Sequence, residues 1–200
     1  LPTAAPSAQK DGIKIYNRDI APYKELMVSD DRYQHVQIGN LTDNNDNHFM
    51  FYRHDKEPTN IPLAGNARYA GDAILNFRSA LENKYLRTEQ GKVDIAFNFD
   101  KKSVGFSIES PSHKHSLNGV IGANTSPIDD NDSSGRFKRA TTADFSEHRT
   151  QYLIDVANFH KVDGYFAGPN AEEIYGTYSY ESMPIEGYEN VDAVFAGKKQ

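Results

Sequence analysis

Between Val93 and Ile108 apolar and polar residues alternate along two consecutive arms, Val93-Asp-Ile-Ala-Phe-Asn-Phe99 and Ser103-Val-Gly-Phe-Ser-Ile108, joined by Asp100-Lys-Lys102. A period of two gives each arm one face toward a core and one toward water, the pattern of an antiparallel hairpin rather than of a helix. The same kind of segment recurs on both sides of this hairpin, so the fold must be built from strands. Beyond residue 62 eight strands are predicted: 66–78, 91–100, 103–109, 116–124, 135–145, 151–167, 173–181 and 191–197. Turn signals separate them at the spacing of a meander that closes into a barrel. Glycines inside the strands, Gly71, Gly105, Gly119, Gly164 and Gly176, suit the tight coiling of a small barrel. Only Ala80–Lys84 and Asn170–Glu173 read as short helical turns. Asn118–Gly122 reads as bulge or loop material, and Ile128–Gly135 as a long polar, mobile excursion.

Upstream, four shorter strands are predicted at Ile13–Tyr16, Glu25–Val28, Tyr33–Ile38 and His48–Arg53, the last two flanking a turn-rich stretch from Gly39 to Asn47. Lys56-Glu-Pro-Thr-Asn-Ile-Pro62 carries two prolines and little periodicity, which makes it a linker. The expected architecture is therefore all-β: an N-terminal lobe over residues 1–62 with a β-hairpin, and an eight-stranded antiparallel barrel over residues 63–200. Twelve Tyr and eleven Phe supply most of the bulk, a bias toward strands.

Charge and chain ends narrow the function. A net charge of −6 argues against a phosphate-binding surface, which needs clustered Lys and Arg. No apolar run approaches the roughly 20 residues of a membrane-spanning helix, and charges opposite the apolar strand faces argue against a lipid-facing barrel. The opening Leu1-Pro-Thr-Ala-Ala-Pro-Ser-Ala-Gln9 is small and uncharged, as the segment after a signal-peptide cleavage point often is, so export is expected. With no cysteine there is no disulfide framework, no thiolate metal site and no lipid-bearing cysteine in this sequence. No G-x-S-x-G, H-E-x-x-H, P-loop or dinucleotide fingerprint is present, and no enzymatic activity is expected.

The most specific motif is Val162-Asp-Gly-Tyr-Phe-Ala-Gly-Pro-Asn-Ala-Glu-Glu-Ile-Tyr-Gly176, which resembles the G-x-F-x-G-P-x-A-x-E-x-x-G signature of transferrin-binding-protein-like barrels. The ending Ala193-Val-Phe-Ala-Gly-Lys-Lys-Gln200 is similar to that family's closing strand, and Asn66-Ala-Arg-Tyr-Ala-Gly-Asp-Ala73 to its opening one. Read physically, Gly168-Pro169 breaks a strand and Ala171-Glu-Glu173 makes a helical turn, with Glu172 and Glu173 as turn carboxylates rather than catalytic acids. The resemblance covers residues 66–200. It implies one of several binding roles: surface receptors for transferrin and lactoferrin, hemoglobin–haptoglobin and complement-factor binders, or secreted hemophores resembling hemophilin. One barrel with one small lobe is similar to the small, Slam-dependent, hemophilin-like members. That likeness implies a secreted or surface-held monomer that binds haem b non-covalently and passes it to a TonB-dependent outer-membrane receptor, with host hemoglobin as a candidate contact.

Under that reading the iron needs one or two axial groups, and His is the leading donor type among His, Met and Tyr. His113 and His115 fall in a loop before the fourth barrel strand and share one face if extended. His35, with His48 or His54, lies in the N-terminal lobe, so a haem between the lobes would take a ligand from each side: His35 from one, His113 or His115 from the other. Tyr33, Val36, Ile38, His48, Phe49 and Phe51 would wall the pocket, and Arg53, Arg32 or Lys114 would pair with propionates. His148 and His160 are assigned to the surface. A zinc ion on His113-x-His115 is a rival that lacks an evident third ligand. The alternative function is a host-protein-binding module with no cofactor.

Overall fold

The computed structural model describes residues 2–55, 58–120, 136–137 and 159–200. Two antiparallel sheets account for all the strands within them, and no helix is present among the described residues. The first sheet is a meander of β1 (Ala8–Lys10), β2 (Ile13–Tyr16), β3 (Tyr23–Ser29), β4 (Val36–Asp43) and β5 (His48–His54). The second is formed by β6 (Asn66–Ser79), β7 (Tyr85–Asn98), β8 (Ser103–Ser110), β9 (His113–Val120), β10 (Arg136–Phe137), β11 (Phe159–Ala167), β12 (Glu173–Glu181) and β13 (Glu189–Lys199). Its strand order is β10-β11-β12-β13-β6-β7-β8-β9. The two strands most distant in sequence, β6 and β13, therefore pair along their length, from Ser79↔Glu189 to Tyr69↔Lys199. The sheet also curls on itself: the rings of His115 on β9 and His160 on β11, near opposite ends of the strand order, have centroids 4.5 Å apart.

Alternation selects the inside. Tyr69, Leu75 and Phe77 of β6, Val93, Ile95 and Phe97 of β7, Val104, Phe106 and Ile108 of β8, and Phe166, Tyr178 and Phe195 meet in one core. Each such side chain stabilises the fold by about 1.5–3 kcal/mol on burial. Strands β6 and β13 are buried on both faces, because Ile74, Val194 and Ala196 point outward into a second core with Ile13, Met27, Tyr33, Val36 and Ile38 of the first sheet. That second core is what joins the sheets. Gly71 belongs to it for a steric reason: a Cβ there would overlap the Ala196 carbonyl and the Tyr33 hydroxyl.

Several local expectations change. Ala80–Lys84 is a turn, closed by Ser79 N–H to Lys84 O (2.7 Å) and by Asn83 at φ 56°, and β7 begins at Tyr85 rather than Gly91. Strand β4 runs on through Gly39–Asp43, and the turn shrinks to the residues after it, where the Asp43 carboxylate accepts the Asn45 and Asn47 N–H groups at 2.8 and 3.0 Å. The segment after Gly168 is likewise a turn and not helical, with Ala171 at φ 56° and its N–H on the Gly168 carbonyl at 3.0 Å. A three-residue strand, β1, joins the first sheet. The excursion at 128–135, the strand predicted at 135–145 and the first part of that at 151–167 lie almost wholly outside the described residues, as does His148.

Candidate functional site

The predicted site residues fall into two regions that do not meet. At the junction of the sheets, Tyr33, Val36 and Ile38 are exposed by 6%, 5% and 0% and pack against the barrel wall, so the surface expected to hold a porphyrin is already filled by protein. Polar groups fix this joint. Glu173, 1% exposed, accepts the backbone N–H groups of Gln34, His35 and Val36 at 2.5, 2.7 and 3.0 Å. Asp72, also 1% exposed, accepts the Tyr33 hydroxyl at 2.6 Å, Lys92 Nζ at 2.9 Å and Gly12 N–H at 3.3 Å. Burial, reinforced by the Asp72 charge, pushes the Tyr33 phenol well up. The His35 ring lies against Asp55, Nδ1 to Oδ1 3.1 Å. Glu173 is thus a buried clamp at the start of β12, which corrects its reading as a helical-turn carboxylate.

Strand β5 divides the other candidates by its two faces. His48, Met50, Tyr52 and His54 turn toward the barrel: His48 stacks on Tyr85 at 3.8 Å, Tyr52 and His54 lie against Tyr175 at 5.1 and 5.2 Å, and Met50 joins the second core. Phe49, Phe51 and Arg53 take the opposite face, with Phe51 packed on Tyr16, Leu26 and Val28 and Phe49 and Arg53 exposed. Phe49 and Phe51 therefore do not wall a pocket with His48. The His48 Nδ1 contacts the Thr42 hydroxyl at 3.1 Å, while its Nε2 is buried with no hydrogen-bond partner. Burial lowers the His48 pKa.

The second region is inside the barrel at its far end. Pairing of Ser110 with His113 makes Pro111–Ser112 a tight turn and starts β9 at His113. His113 and His115 are therefore on the strand rather than in a loop. Both point inward with Leu117, as their spacing implied, and Lys114 points outward to Glu109, Nζ to Oε1 3.7 Å. Lys114 consequently cannot share an interior pocket with the two histidines.

His160, which the sequence reading left on the surface, is 7% exposed and faces the same interior. Its signal was present, since the period of two through Val162 and Phe166 puts residue 160 on the inner face. The rings of His113 and His115, and of His115 and His160, are each 4.5 Å apart. Tyr180 stacks on His115 at 5.2 Å, and the Tyr178 hydroxyl lies 2.6 Å from His113 Nε2 and 3.1 Å from His160 Nδ1. Burial and the neighbouring His115 push His113 down to about 4 against the opposing pull of Glu89 and Glu189, so its ring is neutral at physiological pH.

A cavity of about 340 Å³ opens beside these rings, lined by Phe77, His113, His115, Tyr180, Tyr188 and Glu189 among others. Exposed Leu81, Leu86, Ile185 and Tyr188 belong to the hairpins at this end. Its edge is held by Arg87, which grips Glu189 through two bonds of 2.9 and 2.8 Å, contacts Glu89 at 2.8 Å and sits 4.1 Å over the Phe77 ring. Burial opposes the Glu89 charge, but the Ser112, Arg87 and Ser110 hydrogen bonds outweigh it and hold this carboxyl at about 2.

His35 and His113 are anchored five residues apart along β12, at Glu173 and Tyr178, which is about 17 Å of strand. Two imidazoles on one iron stand only about 4 Å apart, given metal–nitrogen bonds near 2 Å. A haem held between the lobes by His35 and His113 is therefore excluded by this geometry. Nor do any three His, Asp or Glu side chains among the described residues stand in metal-chelating arrangement, so the zinc rival gains no ready-made site from His160.

Residues 61–199 match the family model for the C-lobe and N-lobe beta barrels of Tf-binding protein B. Among solved structures, that of a surface lipoprotein aligns with a TM-score of 0.58 at 18% identity, over 86% of this chain and 78% of that one. A point mutant of Transferrin Binding Protein B from Haemophilus parasuis Hp5 aligns with a TM-score of 0.63 at 19% identity, over 96% of this chain and 38% of that one. The isotype 1 protein from serogroup B Neisseria meningitidis gives 0.58 at 15%, over 100% and 37%. The chain thus spans well under half the length of those two proteins. No curated protein matches it in sequence. With more than half of its residues, 61–199, covered by the family model, this chain belongs to the family of Tf-binding protein B lobe barrels.

Proposed function

We propose that this chain is an exported haem-binding protein that holds haem b at the histidine-bearing end of its barrel and passes it to a TonB-dependent outer-membrane receptor. The observation that carries this reading is the convergence of His113, His115 and His160 with Tyr178 and Tyr180 beside a cavity whose lining includes Phe77, Tyr180 and Tyr188. Neutral imidazoles are the donors haem iron takes, and burial keeps His113 neutral. Haem, when bound, supplies an iron that accepts imidazole nitrogen. The chain supplies the rest: Phe77, Tyr180 and Tyr188 as ring surfaces lining the cavity, and no cysteine for a covalent link. Hemin titration tests it. The expected result is a sharp Soret band with α and β bands on reduction, lost in a His115→Ala/His160→Ala variant and unchanged in His35→Ala. A free-hemin spectrum from the wild-type chain overturns the reading.

The exposed Leu81, Leu86, Ile185 and Tyr188 favour a second reading, in which the same end of the barrel docks a host iron-carrying protein without cofactor. Clustered exposed apolar groups mark protein-binding surfaces in many proteins, these four lie in or beside the two turns at this end, and solved relatives are named for transferrin binding. Biolayer interferometry against transferrin and hemoglobin decides: binding abolished by Leu81→Asp and Tyr188→Ala, with no hemin spectrum, supports docking instead.

A further inference from the structure

We propose that the open edge of β5 is a strand-addition site for an extended, acidic segment of a partner protein. The hydrogen-bond phase of the first sheet identifies the backbone groups on offer. Asp43 N–H donates to the Asn47 carbonyl and Asp55 N–H to the His35 carbonyl, each at 3.0 Å, and both continue the β4–β5 register that runs from Val36↔His54 to Thr42↔His48. Bonded pairs alternate along an antiparallel ladder. Phe49, Phe51 and Arg53 therefore spend their N–H and C=O groups on β4, while those of His48, Met50 and Tyr52 point away from it. β5 ends the sheet order, and the backbone groups of these three residues have no hydrogen-bond partner among the described residues.

Nothing in the strand blunts this edge. Short edge strands, Lys, Pro and bulges are the usual protections against strand pairing. The opposite edge of the sheet has two of them, since β1 is only three residues long and ends in Lys10. β5 has seven residues with neither Lys nor Pro, and it pairs with β4 without a register shift. Phe49 and Tyr52 are 51% and 42% exposed. Tyr52 leans on the barrel wall, its ring 5.1 Å from that of Tyr175 and 6.2 Å from that of Tyr165, so aromatic rings, which are enriched at protein interfaces, flank the open backbone.

Alternating N–H and C=O groups at strand spacing are matched by one kind of occupant, another extended backbone. Charge narrows it further. His-Phe-Met-Phe-Tyr-Arg-His carries no carboxylate, and exposed Arg53 has no ion pair among the described residues. Opposite charges across a strand pair stabilise it and like charges oppose it, so the added strand carries an acidic residue against Arg53. A second copy of this chain does not meet that demand: antiparallel pairing over the whole strand sets Arg53 against Phe49 and His48 against His54, with no carboxylate at the edge. No residue of β5 lines the far-end cavity, so the assignment holds with or without haem there.

Amide hydrogen exchange of the ¹⁵N-labelled chain tests it, alone and with a short peptide of alternating threonine and valine carrying a central glutamate. In the free chain Met50 and Tyr52 are expected to exchange faster than Phe49 and Phe51, and the peptide is expected to slow the first two only. Tyr52→Pro removes an open-edge N–H and no bond of the β4 ladder, a place where edge strands tolerate proline, so the fold should persist and the protection should be lost. Arg53→Glu should weaken the glutamate peptide about fivefold and strengthen one with a central lysine. Met50 and Tyr52 amides as protected in the free chain as those of Phe49 and Phe51 overturn the proposal, because the edge is then already covered. A peptide that leaves both amides unchanged overturns it too. Protection that rises with chain concentration alone reassigns the edge to a second copy, and an unaltered peptide preference in Arg53→Glu overturns the acidic character of the partner.

Discussion

The sheet junction and the far end of the barrel both bury polar side chains, but they satisfy them differently. At the junction Glu173 and Asp72 meet backbone N–H groups, a phenol and a lysine, with apolar Val36, Ile38, Ile74 and Val194 filling the space around them. The carboxylate oxygens are satisfied and the volume is occupied, so this region specifies how the lobe docks. At the far end the buried groups are imidazoles and phenols that exchange hydrogen bonds among themselves beside a cavity. Imidazoles are also the side chains that most often ligate metal. Burial of a candidate residue is therefore no guide to function until its partners are known.

The largest expected effect falls on the junction. Replacing Glu173 by Ala leaves three N–H groups without their acceptor, each costing about 1–3 kcal/mol, so urea unfolding should show a loss of about 4 kcal/mol; a loss below 1 would mean the carboxylate is not what fixes the lobe. Next comes acid sensitivity at the far end. His113 falls from 6.5 unfolded to about 4 folded, so the unfolded chain binds more protons between those values and stability declines as pH drops through that window. The decline approaches about 3 kcal/mol for this group. Comparing unfolding at pH 7 and pH 4.5 for wild type and His113→Leu checks it, since the variant should lose that part of the slope.

A smaller effect is expected for Tyr33→Phe, which removes the donor at 2.6 Å from Asp72. It should cost about 1.5 kcal/mol and leave any hemin spectrum untouched, and an altered spectrum would return the junction to the list of ligand sites. Least of all, Arg68→Ala should not move the unfolding midpoint measurably. Its pair with Asp94 lies on exposed surface, where water and salt screen the attraction.

Much of the fold was legible because alternation is a local property. The β8 arm and the C-terminal strands from Val162 onward kept their expected positions, and the hairpin at 93–108 formed where the alternation put it, with Asn98 opposite Ser103. Strand ends were less legible. Ala80–Lys84 has helix-forming residues but is closed as a turn by Asn83 and by pairing of the flanking strands. The candidate site was legible only in part. Spacing correctly put His113 and His115 on one face, yet it could not say that their neighbours would be His160 and Tyr178, which lie 45 or more positions away.

By itself, then, the sequence determined the all-β class and the inward face of the hairpin at 93–108, because a period of two and turn chemistry act over a few residues. Which histidines meet was decided only by the tertiary structure. The pairing of β6 with β13 and the curl that brings β9 to β11 are long-range events. They send His35 to one end of β12 and gather His113, His115 and His160 at the other, because a strand about 17 Å long between anchors is a distance no side chain spans.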